Sequence, residues 1–172
     1  MVNTILVVSD LKVSFKNSVI FNNLDFEIKH GEAVAIIGPN GAGKTMLFRA
    51  LIGAVKYQGR VNWAAGVRIG YVPQRFDLER SLSLSLGDFL DLKRAVLKLP
   101  LSVVLEAIEL VHLPKTKLNN QLSLLSGGEL QRALIAFALI GSPNVLLFDE
   151  PTVSVDLPGE EHIYQTLHHL QD

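Results

Sequence analysis

The sequence contains no cysteine. That excludes disulfides and thiolate-held metal, and it fits a reducing compartment. Excess charge of either sign is also missing. The net charge is −1 at pH 7, so no overall basic field draws nucleic acid or anionic lipid. Long hydrophobic runs are lacking as well. The longest late one, "ALIAFALI" (Ala133–Ile140), is far short of the roughly 18 residues of a membrane span. "ILVV" (Ile5–Val8) is too short for a signal-peptide core and has neither a basic flank nor a cleavage pattern. No internal repeat is evident. What is present is a chain of 172 residues, 48% hydrophobic. That suffices for one well-buried α/β domain with a sub-lobe, soluble or peripheral on a membrane.

The first thirty residues alternate as short strands, "ILVV", "LKVSF", "VIF" and "LDFEI". Turn signals at Ser9-Asp10 and Asn22-Asn23 separate them, which predicts a small, largely antiparallel sheet. "EAVAIIG" (Glu32–Gly38) differs, because Ala33–Ile37 is a continuous apolar run, expected of a strand buried on both faces. "KTMLFRALIG" follows with helical spacing and Gly53 as its C-cap. "GRVNW" and "VRIGYV" read as two more strands. From Phe76 to about Leu125 the pattern turns helical, in "GDFLDLKRAVLKL" and "LSVVLEAIELVHL", punctuated by Pro100 and Pro114. "SLSLSL" (Ser81–Leu86) reads as a loop entering a helix, with Ser85 and Asp88 at capping-box spacing. "NVLLFDE" reads as another fully buried strand, and "LPGEEHIYQTLHHL" as a closing amphipathic helix. Strands alternating with helices around a glycine-rich loop point to a mainly parallel α/β core with a helical insert.

That loop, "GPNGAGKT", comprises Gly38, Pro39, Asn40, Gly41, Ala42, Gly43, Lys44 and Thr45. It matches G-x-x-x-x-G-K-[ST] in full, with an apolar strand before and a helix after. Its glycines let backbone N–H groups turn inward on phosphate oxygens, and the helix N-terminus adds partial positive charge. Lys44 is placed to reach the β- and γ-phosphates of ATP, and the Thr45 hydroxyl to ligate Mg²⁺. Asp149 ends the apolar run of "NVLLFDEP", where such ATPases keep the aspartate that orients Mg²⁺. Glu150 follows and points elsewhere, toward the attacking water as its base.

A second anion seat is written at "SGGE". Ser126 and Glu129 stand at capping-box spacing, a sound helix start in itself. A cap needs no glycines, however, and Gly127 and Gly128 leave backbone N–H groups uncovered by side chains. With the first phosphate site already supplied, a second seat suggests a second nucleotide and a symmetric pair.

"LSGGE" (Leu125–Glu129) resembles the signature motif of ABC-type ATPases. The other motifs agree in order: "GPNGAGKT", "VPQ" with Gln74, "LSGGELQR", "VLLFDEPT", and "SVD" (Ser154–Asp156). The resemblance covers essentially the whole chain. It implies a P-loop NTPase core with a mainly parallel sheet, an N-terminal antiparallel β subdomain and an inserted α-helical subdomain. Residues 1–172 would form one ABC ATPase domain. Residues 1–75 and 141–172 would make the nucleotide-binding core with the β subdomain, and 76–140 the helical subdomain with the signature motif. It further implies a nucleotide-sandwich dimer in which Ser126, Gly127 and Gly128 complete the partner's site. Gln74 would ligate Mg²⁺ beside Thr45 and Asp149, take part in catalysis and sense the membrane partner. Phe15 stands where the family stacks an aromatic ring on adenine, or else it is sheet core. Asp156 lies at the dimer interface or caps a helix.

A finer resemblance, in "IGYVPQR" and "PTVSVDLPGEE", is to the importer ATPases for manganese, zinc or chelated iron. The function implied is an ATP hydrolase, peripheral on the cytoplasmic face of the cell membrane, driving separate transmembrane permease subunits. The alternatives are a soluble ATPase of the same motif set acting on DNA or ribosomes, or a nucleotide-binding fragment with little turnover. No nucleic acid is expected. His162 and His169, seven apart, read as a solvated helix face rather than a zinc site. The family's switch histidine is expected beyond Asp172, His168 and His169 coming too early, so the resemblance implies a C-terminally incomplete domain.

Overall fold

The computed structural model describes residues 4–16, 18–74, 76 and 83–149. The chain divides into two compact units, Met1–Val67 and Arg68–Asp172.

In the first unit, β1 (Thr4–Phe15), β2 (Ser18–Lys29) and β3 (Gln58–Trp63) form an antiparallel sheet in the order β2-β1-β3. The expected antiparallel sheet is there, but the turn signals act differently. Ser9-Asp10 lies inside one twelve-residue strand, and Asn22-Asn23 inside another. Both are bulges. The buried positions of β1 are Leu6 and Val8, then Leu11 and Val13, so the two-residue alternation slips by one at Asp10. The ladder shows the same slip, with Val8 opposite Phe26 but Leu11 opposite Leu24. Asp10 (φ 53) and Asn23 (φ 56) take the left-handed conformation, which short polar side chains tolerate best. A Cβ at Gly59 (φ +91) would stand 2.3 Å from the Asp10 carbonyl oxygen, so the bulge is possible because the facing residue is glycine.

Helix α1 (Lys44–Leu51) buries Leu47, Ala50 and Leu51. Gly53 (φ +73) closes it as expected, its N–H donating to Ala50 at 3.0 Å. Trp63 ties β3 to the helix end through Nε1 to the Leu51 carbonyl, 2.9 Å. The expectation for Ala33–Ile37 is corrected. This run forms no strand among the described residues, and Val34, Ile36 and Ile37 are exposed, Ile37 by 93%. An apolar run becomes a strand only where a neighbour pairs its backbone, and no ladder forms on it within this unit.

In the second unit, β4 (Ile69–Val72) and β5 (Val145–Phe148) pair in parallel. Between them in the chain come α2 (Leu86–Val96), α3 (Ser102–Leu110) and α4 (Gly127–Leu139). The β5 strand forms as read, yet only Leu147 is buried. Its ladder has one partner among the described residues, β4. The apolar stripes of the three helices make one core with Val72. Phe89 of α2 stacks on Phe137 of α4 at 4.5 Å. Lys93 donates to the Phe137 and Ala138 carbonyls, 2.8 and 2.9 Å, placing a cation at the C-terminal end of α4. Burial lowers its pKa. Gly70 lets α4 approach β4, since a Cβ there would meet the Ala138 carbonyl oxygen at 2.8 Å. Ser85 caps α2 as expected, accepting from the Asp88 N–H at 3.0 Å. The closing helix expected after Leu157 lies outside the described residues, as does Ser81-Leu82.

Candidate functional site

The phosphate loop belongs to the first unit. A turn closes it from the Ala42 N–H to the Pro39 carbonyl, 3.1 Å. Gly41 (φ +83) and Gly43 (φ +94) supply the left-handed turns. At Gly43 glycine is required twice over, because a Cβ would also lie 2.3 Å from Ile20 Cγ2 and 3.0 Å from the Phe21 ring. The strand β2 thus forms the floor under the loop. Gly43 is the N-cap of α1 and offers no side chain to its first N–H groups. These are the orphan donors that bind anions at helix starts. The Lys44 ammonium curls into the loop and donates to the Gly38 and Pro39 carbonyls, 2.8 and 3.3 Å. A cation and the uncapped N–H groups of a helix start are therefore assembled by eight consecutive residues. Thr45 follows, half-buried in the first turn of α1. Phe15, at the end of β1, is 56% exposed. It is an open aromatic face with the Lys16 ammonium 5.8 Å from its centroid, and not sheet core.

The acidic part belongs to the second unit. Because β4 and β5 are parallel and Val72 stands opposite Phe148, Gln74 and Asp149 leave the sheet at the same carboxyl edge. Ligands of open α/β sheets bind at such edges. Asp149 is 1% exposed. Its N–H donates to the Val72 carbonyl at 3.0 Å, and its carboxylate accepts from the Tyr71 hydroxyl at 3.3 Å. A buried carboxylate whose partner is a neutral hydroxyl gains from a nearby cation. At this edge the Gln74 side-chain carbonyl and the Asp149 carboxylate both offer oxygen, the donor type that suits Mg²⁺ completed by phosphate oxygens. Among the described residues no group of three or more His, Cys, Asp or Glu forms a separate metal cage.

The start of α4 has the full reciprocal cap. The Ser126 hydroxyl accepts from the Glu129 N–H at 3.3 Å, and Glu129 Oε2 accepts from the Ser126 N–H at 2.9 Å. Lys117, from a short 3₁₀ turn at Lys115–Asn119, adds an ion pair at 2.7 Å. Its hydrogen bond, and then that of the Ser126 backbone, hold the Glu129 carboxyl down at about 2. Ser126 and Gly127 are exposed, and Gly128 is half-buried. Sequence reasoning found this cap but missed Lys117 and Tyr71, which no local spacing marks. Glu150, Asp156, His162, His168 and His169 lie outside the described residues.

Residues 21–153 match the ABC transporter family. The chain belongs to that family. Among the relatives of this ABC transporter family chain is the zinc import ATP-binding protein ZnuC of Haemophilus influenzae. The two are 36% identical over 168 residues, 97% of this chain and 61% of that protein. The ZnuC of Paracoccus denitrificans is 39% identical over 169 residues, 97% of this chain and 65% of the relative. The chain thus spans less than two thirds of the length of these relatives. A solved dimer of the ATP-binding cassette MJ0796, in a post-hydrolysis state with ADP and Pi, superposes with a TM-score of 0.83. It is 26% identical, over 97% of this chain and 83% of that one. The α/β fold is that of the ABC ATPases, with an antiparallel and a parallel sheet.

Proposed function

We propose that this chain is the ATP-binding and ATP-hydrolysing part of a machine that imports a divalent metal ion, zinc first among the candidates. The observation that carries the reading is the phosphate loop curled around Lys44, in a chain matched over 97% of its length to zinc import ATP-binding proteins.

The residues divide the work as follows. Phe15 offers its exposed ring to adenine. The loop N–H groups from Gly38 to Thr45 and the Lys44 ammonium hold the phosphates. Thr45, Gln74 and Asp149 hold Mg²⁺, which neutralises phosphate charge and fixes the phosphate geometry. Glu150 takes the proton of the attacking water. Ser126, Gly127 and Gly128 present the uncovered start of α4 to the γ-phosphate bound by a second copy. Pairing of the two copies around ATP, and their release after hydrolysis, would move a separate membrane permease docked near Gln74 and residues 76–125. The chain would then sit at the cytoplasmic face of the membrane. No helix among the described residues is long and apolar enough to cross it.

Disrupting the gene in its own organism tests the cargo. Zinc uptake should fall, and growth under a zinc chelator should fail until zinc is added back. Rescue by manganese or iron alone would reassign the metal, and unchanged uptake of all three would overturn the importer reading.

A further inference from the structure

We propose that Tyr71 is a positioning residue for Mg²⁺: its hydroxyl holds one oxygen of Asp149 and thereby turns the other toward the metal. The inference rests on the reading of Asp149 as a Mg²⁺ ligand.

The sheet register makes the contact. Tyr71 stands opposite Leu147 in the parallel β4–β5 ladder. Asp149 is two residues beyond Leu147, so it lies on the same face, about 6.6 Å further along. A tyrosine side chain spans that diagonal, and the hydroxyl reaches Asp149 Oδ2 at 3.3 Å. The contact joins residues 78 apart in sequence.

Asp149 needs such a contact. Its backbone is pinned by the N–H bond to Val72, but the carboxylate plane turns about a broad, roughly two-fold torsion. One donor on Oδ2 sets that plane and leaves Oδ1 for a cation. The donor's neutrality matters too. An arginine or lysine in the same place would compete with the metal for the charge of Asp149. A phenol orients the carboxylate and leaves its full negative charge to the cation.

Calorimetric titration of Mg²⁺ into the ATP-saturated chain tests this, alongside ATP binding in EDTA and thermal unfolding without metal. Tyr71→Phe keeps the ring and removes the hydroxyl. The apparent Mg²⁺ affinity should fall about tenfold, the low end for losing the partner of a metal ligand. ATP affinity in EDTA should stay within about twofold, while the metal-free unfolding midpoint should fall by a few degrees, since the buried Asp149 carboxylate loses a part-buried donor. Asp149→Asn separates the two layers of the argument. If Asp149→Asn lowers Mg²⁺ affinity but Tyr71→Phe does not, Tyr71 has no positioning role. If Asp149→Asn leaves Mg²⁺ affinity unchanged, the metal-ligand reading itself fails and the Tyr71 proposal with it. A Tyr71→Phe chain that loses metal-free ATP binding to the same degree would mark the residue as structural and also overturn the proposal.

Discussion

Lys117 and Glu129 stand 2.7 Å apart, joining a 3₁₀ turn to the entry of α4. Glu129 at the same time closes the reciprocal cap with Ser126. One carboxylate therefore holds both the helix start and the segment before it.

This pair predicts an acid dependence. The Glu129 carboxyl is lowered from 4.5 to about 2, first by the Lys117 hydrogen bond and then by the Ser126 backbone. A lowered carboxyl stabilises the folded chain above its unfolded value and loses that contribution as pH falls through the folded value. Lys117→Met should raise the Glu129 pKa toward the ordinary range and cost about 1 kcal/mol at pH 7, the upper end for solvent-screened pairs, because this one is half-buried. The difference from the parent chain should shrink between pH 4.5 and 2. Denaturant unfolding across that range, with a carboxyl NMR titration, measures both, and a pH-independent difference would contradict the assignment.

Lys44→Ala should weaken ATP binding by at least tenfold with little change in stability. Charge-assisted hydrogen bonds contribute about 1.5–3 kcal/mol, and 1.4 kcal/mol is one decade of affinity. The Lys44 Nζ bonds at 2.8 and 3.3 Å go to carbonyls of the loop itself, and Lys44 is not among the buried core residues. Equal ATP affinity in the two chains would show that the phosphate site is elsewhere.

Two loop glycines should respond differently to alanine. Both have positive φ, which costs a residue with a Cβ about 1–2 kcal/mol. Gly41 has nothing within 4 Å of the added carbon, whereas Gly43 has Ile20 at 2.3 Å and Phe21 at 3.0 Å. Gly41→Ala should therefore cost about 1–2 kcal/mol, and Gly43→Ala roughly 2–5 kcal/mol once overpacking is added. Unfolding curves of the two variants that coincide would mean β2 is not the floor of the loop.

Gly128→Asp puts a carboxylate at the start of α4. For the isolated chain this is neutral or slightly stabilising, because acids suit helix N-termini. For a second nucleotide's phosphate it is repulsive. The variant should bind ATP normally yet fail to pair on ATP, measured by light scattering with Glu150→Gln in both chains to slow turnover. A dimer that persists would reduce "SGGE" to a helix cap.

The local pieces of the site were legible because their chemistry is local. The phosphate loop is eight consecutive residues, and the cap of α4 couples positions three apart. Alternation was enough to announce an antiparallel sheet, as was helical spacing for α1 to α4. The sequence alone could not distinguish a turn from a bulge at Asp10 or Asn23, since both use the same left-handed residues. The ladder decides that, with Gly59 making room. Nor could it tell whether Ala33–Ile37 pairs, because a strand is a relation to a neighbour and not a property of a run. The settings of Asp149 and Glu129 came from tertiary structure alone. Tyr71 reaches Asp149 only through the β4–β5 register, and Lys117 reaches Glu129 only because a 3₁₀ turn returns to the start of α4. Hydrogen bonds act over about 3 Å, and only folding brings such distant residues that close.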